Sequence, residues 1–340
     1  MKFFRHGAIL ISVAMSGLAA TAVAAAPPAA GQAVTRLAGP CIKVTATIPL
    51  AHAYGGIAVN PNTNTVYVPT GGHKLIVISG QTNKVVSTIG VGRGADTVAV
   101  NPATNTIYVG NSRDGTISVI NGQTKAVAAT IPIGRDEAQI AVNPATNTIY
   151  VPHLFANTVS VINGRTNTVT ATIPVAQFPE SAVVDPKTDT IYVTGMAPDE
   201  VTVISGQTNT VVAHIPFPLG TPRALGVNPA TDTVYAASGS NSSAPGSAAV
   251  ISGQTDTIVA AIPVGALPDA VAVNPHTNII YVANPNGSVS VLNGQTNKPL
   301  ATIPGGAAPF GVAADPNTNR AYVVNDGGPI SVSVLGPCRL

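Results

Sequence analysis

One phrase returns seven times along this chain: Asn or Asp, then Pro, any residue, Thr, and Asn or Asp, followed by a short run containing Tyr. Its prolines are Pro61, Pro102, Pro144, Pro186, Pro229, Pro275 and Pro316, spaced 41, 42, 42, 43, 46 and 41 residues apart. A self-similar period in the low forties, with four strand-like runs per unit, is the signature of a propeller blade. The expected fold is therefore all-β: a seven-bladed β-propeller of four-stranded antiparallel blades. The repeat constrains the architecture and says little about a ligand.

The second unit, Thr97 to Gly134, shows what each part does. Four apolar, β-branched runs occur in it, Val98–Val100, Thr106–Val109, Thr116–Ile120 and Ala126–Ile131, each bounded by turn residues. Pro102 supplies the fixed φ that starts a turn, and Asn101 can bond the backbone two residues on. The third turn is Asn121-Gly122, a pair suited to positive φ at both central positions of a tight hairpin. It recurs as Asn163-Gly164 and Asn293-Gly294, and as Ser-Gly at Ser79, Ser205 and Ser252. Seven of the eight tyrosines (Tyr67, Tyr108, Tyr150, Tyr192, Tyr235, Tyr281 and Tyr322) hold one position of the second strand. One equivalent Tyr per blade is expected to be core packing between blades.

After Pro316 the last unit stops at its third strand, and the missing fourth matches CIKVTATIPL, Cys41–Leu50. The N-terminal strand is thus expected to complete the last blade and close the ring, leaving no sheet edge at the seam. The only cysteines, Cys41 and Cys338, align to the same turn although they lie 297 positions apart, and a disulfide is expected there. Two unrelated buried thiols are the alternative.

The first residues carry Lys2 and Arg5, an apolar stretch Gly7–Ala20 and a small-residue motif Ala22-Val23-Ala24. This pattern reads as a secretory signal peptide over 1–24, followed by a flexible leader over 25–40 and one propeller domain over 41–340. An uncleaved anchor is the weaker reading, and LAGPC at Leu37–Cys41 is a poor acylation box because Pro40 interrupts it. With Lys2 and Arg5 removed, 14 basic residues face 14 acidic ones, so the mature chain is neutral. That charge lacks the basic footprint of a nucleic-acid binder. A polar surface with only 9% charged residues suits a periplasmic or secreted protein with no membrane span after cleavage, expected as a monomer.

The Tyr-Val-x-Asn core in IYVGN (Ile107–Asn111), IYVAN (Ile280–Asn284) and AYVVN (Ala321–Asn325) resembles the YVTN family of β-propeller repeats, over essentially all of Cys41–Cys338. VYVPT, IYVPH, IYVTG and VYAAS lack the terminal Asn, which makes that residue a turn former rather than a site residue. The resemblance implies an exported or cell-surface protein with an adhesive or binding role. YncE-like members of similar size are linked to DNA binding, and related propellers include lactonases. Fold alone does not transfer function.

The middle positions of the first strands are Ala58, Ala99, Ala141, Val183, Gly226, Ala272 and Ala313, a central lining without acids, bases or nucleophiles. Chemistry must then sit in the two connections that vary from blade to blade, which emerge on one face and hold nine of the 14 acidic residues. Five residues before each turn Asn or Asp lies a position expected to rim the mouth: Gly55, Asp96, Ala138, Glu180, Arg223, Asp269 and Phe310. A second rim set, His52, Arg93, Arg135 and Gln177, precedes it by three residues. No cofactor is expected, although Asp96, Glu180 and Asp269 are oxygen ligands of the kind Ca²⁺ takes. The loop Ser238–Ala249 is a Ser/Gly segment. His214 and His276 have no evident partner.

These residues point to a non-catalytic binding scaffold that engages a cell-envelope or extracellular protein or polymer through the variable loop face. The alternatives are a metal-dependent, lactonase-like hydrolase using the three carboxylates, and a single-stranded nucleic-acid binder. The last would stack bases on exposed aromatics, of which the variable loops offer only Tyr54, Phe155, Phe178 and Phe310.

Overall fold

The computed structural model describes residues 41–239 and 244–338. The signal-peptide and leader expectations over 1–40, and the centre of the Ser/Gly loop, lie outside the described residues. Among those residues, strands assemble into seven four-stranded antiparallel sheets. In blade two they are Ala95–Asn101, Thr106–Asn111, Thr116–Asn121 and Ala126–Pro132, bracketing the four expected runs. Each first strand contacts the first strand of the next blade, and Pro309–Asp315 of blade seven contacts Ala58–Asn60 of blade one. That contact closes the ring.

Neighbouring sheets cover both faces of the inner strands, so Ile107, Tyr108 and Val109 are all buried. This is why second strands read as unbroken β-branched runs and not as alternating ones. The outer strand Ala126–Pro132 buries Ile131 near its end and exposes most of its other residues. A bulge interrupts its pairing with the third strand between Val119 and Ile120. Bulges twist an edge away from foreign strands, a common protection of exposed edges.

The seam is built the same way. Ile42–Pro49 pairs antiparallel with Ser331–Pro337 and carries the equivalent bulge between Val44 and Ala46. The extra residue there, Thr45, donates its hydroxyl to Val334 O at 3.1 Å, as Thr170 does to Val161 O at 3.2 Å in blade three. The N-terminal strand is thus a true outer strand. Cys41 and Cys338 are disulfide-bonded across it, with a Cα–Cα distance of 5.3 Å.

The Asn-Pro turns tie blades together. Asn101 Oδ1 accepts Ala103 N–H at 3.0 Å, and its Nδ2 donates to Asn147 Oδ1 of the next blade at 2.7 Å. The bond recurs as Asn60 to Asn105, Asn143 to Asp189, Asn228 to Asn278 and Asn274 to Asn319. At the other two interfaces Asp185 and Asp315 replace the amide donor, and each keeps a buried Oδ2 without a partner. Asp185 instead faces the carboxylate of Asp232, whose pKa is raised by desolvation and by the Asp185 charge.

The Asn-Gly hairpin differs from expectation. Gly122 is not in the left-handed region; the positive φ, 56°, falls on Lys125, which closes a longer turn onto Asn121 O. Asn121 Oδ1 accepts the N–H groups of Gln123 and Thr124. Glycine is required for space, because a Cβ at 122 would collide with Asn105 of the first turn. The equivalent Gly80 and Gly294 also lie under the hydroxyls of Tyr322 and Tyr235 from the preceding blade. All seven repeat tyrosines are buried, as expected.

Two stability outcomes follow. Replacing both cysteines by Ser should destabilise the protein by roughly 2–4 kcal/mol, with amide exchange accelerating first along Ile42–Pro49. Asp185→Asn supplies the missing donor to Asp232 and should stabilise by about 1 kcal/mol near neutral pH in denaturant unfolding. A raised acid pKa means stability lost as pH rises, so the gain should shrink as the pair takes up a proton in acid.

Candidate functional site

The variable connections do share one face. Gly94, entering blade two, accepts Ser112 N–H from the loop between the second and third strands, and its own N–H reaches Gly72 O of blade one. These bonds brace the loop ends of the two blades against one another. Several expected lining positions, Ala99, Ala141 and Ala272 among them, pack into interblade clusters, so polar groups gather only at the mouth.

There, a hollow of about 340 Å³ is lined by Gly55, Asp96, Ala138, Glu180, Arg223, Asp269 and Phe310, one rim position from each blade. The first rim set is therefore brought together. The second set is not. His52, Arg135 and Gln177 are exposed outside the hollow, and Arg93 is engaged within its own blade. Its backbone N–H and Nε hold Asp114 at 2.7 and 2.8 Å, keeping that carboxyl below its ordinary range.

One ionisable lining residue lies outside both rim sets. Glu137 enters the hollow from blade three, only 8% exposed, and neither carboxylate oxygen is hydrogen-bonded to a neighbouring residue. The equivalent positions elsewhere are Ala95, Pro179, Pro222, Pro268 and Pro309, with Tyr54 in blade one. A carboxylate thus stands where five blades place a small or proline side chain. Aligning the repeats one residue earlier would have exposed it. Space for it comes from Gly110, the only glycine at the x of the Tyr-Val-x-Asn core; a Cβ there would lie 3.3 Å from Glu137 Oε1 and collide with Thr97 Oγ1.

Burial dominates the electrostatics. Desolvation raises Glu137 to about 7, against its own backbone hydrogen bond, with Asp96 and Asp136 adding repulsion. Asp96, Glu180 and Asp269 are also raised by desolvation, tempered in the last two by Arg223. Arg223 Nη1 lies 3.8 Å from Glu180 Oε1, an ion pair too long to be a hydrogen bond. Arg223 Nε, Glu180 Oε2, Asp96 Oδ1 and Thr97 Oγ1 are buried atoms without partners. Among the described residues, no group of three or more His, Cys, Asp or Glu is disposed to hold a metal ion.

Two further constellations have structural explanations. Ser160 Oγ lies 2.9 Å from His153 Nε2, and His153 Nδ1 lies 3.5 Å from Asp136, the order of a nucleophile, base and acid. Both Ser160 and His153 are buried, however, and Asp136 Oδ2 accepts the N–H groups of Phe155 and Ala156, which anchors the loop. In blade two, Asn111 and Ser118 make the corresponding bond at 3.0 Å, so His153 substitutes for the repeat's structural Asn. His214 and His276 do have partners: Glu200 at 2.6 Å and Pro316 O at 3.0 Å. The first arises because Thr202, which donates to Glu200, pairs directly with His214 across the outer hairpin.

No protein-family model matches the sequence, and neither does any curated protein. The fold is similar to a solved structure of Kuenenia stuttgartiensis hydrazine synthase, with a TM-score of 0.73 and 18% identity over 91% of this chain and 98% of that one. At that identity the likeness concerns the fold alone.

A folded-state pKa raised above the unfolded value makes Glu137 a source of stability lost as pH rises from the ordinary glutamate range to about 7. Glu137→Gln should therefore raise stability above pH 7 by on the order of 2 kcal/mol and change little near pH 4. Paired urea titrations at the two pH values measure this.

Proposed function

We propose that this chain is an exported, non-catalytic propeller of the YVTN type, acting as a monomer in the periplasm or outside the cell. It engages an envelope or extracellular protein or polymer across its variable face. The observation that carries the reading is the mouth: six blades send Asp96, Glu137, Glu180, Arg223, Asp269 and Phe310 into one hollow, and several of their polar atoms are unpartnered. A fold satisfied by its own packing has no use for that arrangement. The leader pattern supports export, and the disulfide suits an oxidising compartment.

The competing expectations draw less from the same residues. Ca²⁺ shared by Asp96, Glu180 and Asp269 would need them converged as ligands, and among the described residues no such group occurs. Four carboxylates against one arginine oppose a phosphate backbone at the mouth. Among the described residues no helix is long and apolar enough to cross a membrane.

The reading is tested with the mature protein immobilised and isolated envelope fractions passed over it. The combined variant Asp96→Asn, Glu180→Gln, Arg223→Ala and Asp269→Asn should lose retention while unfolding as cooperatively as the parent. Retention that survives all four changes places the binding surface elsewhere.

A further inference from the structure

Resting on the reading of the mouth as the binding site, we infer that its ligand is an alkylammonium ion: a protonated primary amine held against Glu137, with its carbon chain lying against Phe310. Charge sets the sign. Asp96, Glu137, Glu180 and Asp269 face the hollow against the single cation Arg223, which stands beside Glu180. An anion would meet four like charges, and a neutral ligand would leave the carboxylates uncompensated.

Geometry sets the head group. Glu137 is more than nine-tenths buried, has neither oxygen hydrogen-bonded to another residue and lines the hollow, in a slot beside Gly110. An ammonium carries three donors and no acceptor, matching acceptors at Glu137, Asp96 Oδ1 and Thr97 Oγ1. A bare divalent ion needs several oxygens at once around a point, and the carboxylates are not so grouped. Their spread around a space of about 340 Å³ fits an organic ion better than a metal.

The apolar part has a place as well. A second hollow of about 330 Å³ shares Gly55, Asp269 and Phe310 with the first and adds Tyr54, Pro285, Ala308 and Asp326. Tyr54 is 57% exposed, and Phe310 stands where the two spaces meet. An aromatic face beside carboxylates attracts a cation and accepts its methylenes. The ammonium source is either a free amine or a lysine side chain of the partner, which extends a four-carbon stem.

Calorimetric titration of the mature protein at pH 8 and low salt, with n-pentylammonium, n-pentanol, calcium chloride and a lysine blocked at both backbone ends, tests this. Pentylammonium should bind and pentanol should not; Glu137→Gln should weaken the amine by about tenfold or more. Binding should strengthen from pH 6 to 8 as Glu137 ionises among Asp96, Asp136, Glu180, Arg223 and Asp269, with proton release. Blocked lysine binding as well as pentylammonium points to a protein partner, and pentylammonium alone to a free amine. Asp269→Asn, at the open edge of the hollow, gives the same test if the Glu137 variant fails to fold. No amine binding to folded protein, equal binding of pentanol, a calcium response without an amine response, or indifference to both substitutions overturns the inference. If envelope retention still falls in the four-site variant while no amine binds, the ligand class is wrong and the binding face stands. If the amine binds and retention is unaffected, the reverse holds.

Discussion

A ring of blades holds only if its last blade is complete, and here that depends on one antiparallel pairing between the two ends of the propeller. Ile42–Pro49 lies along Ser331–Pro337 with the same bulge and the same outward pattern as the other outer strands. Without it, the third strand of blade seven would be an open edge, and Ile48 would be missing from the buried cluster that blades one and seven share. The disulfide sits at the end of this pairing, next to the bond from Cys338 N–H to Cys41 O. It confines the two ends in the unfolded chain, where a closure over nearly the whole sequence is least favourable. The rigid scaffold beneath the mouth follows from that closure.

Repetition then makes every departure informative. Seven copies of one unit give each position an internal standard, so a residue unlike its equivalents has a local cause. Asp185 and Asp315 break the chain of amide bonds between blades, leaving buried carboxylate oxygens unpartnered. His153 replaces an Asn and keeps its bond to the third-strand serine. Glu137 replaces a small or proline residue and gains no partner, while Gly110 opposite it loses its side chain to make room. The first three departures stay within the architecture. The last pair spends stability on a group aimed into open space, and that is where a ligand is sought.

Much of this was legible in advance, and the residues explain why. Asn101, Pro102 and Thr104 act within a few residues of themselves, so their turn could be read locally, as could the buried tyrosines, whose spacing repeats with the blade. The hairpin glycine suggests a positive-φ turn, whereas the structure needs it for space. Its constraint comes from Asn105, 17 residues earlier in the chain and brought alongside by the first turn. Asp96, Glu180, Arg223, Asp269 and Phe310 were found by counting back from each turn, because register alone carries them to the mouth. Glu137 lies one position off that count, and His52, Arg93, Arg135 and Gln177, three positions before it, are exposed or pair locally.

The sequence by itself determined the number of blades, the order of strands, the closure by the first strand and the pairing of the cysteines. All of these depend on periodicity and on contacts that the repeat makes identical in every copy. Only the tertiary structure decided which ionisable groups share one space, which are already neutralised and which are left buried without a partner. Those properties depend on the side chains of five or six blades lining one hollow, and on desolvation there. No single repeat encodes either one.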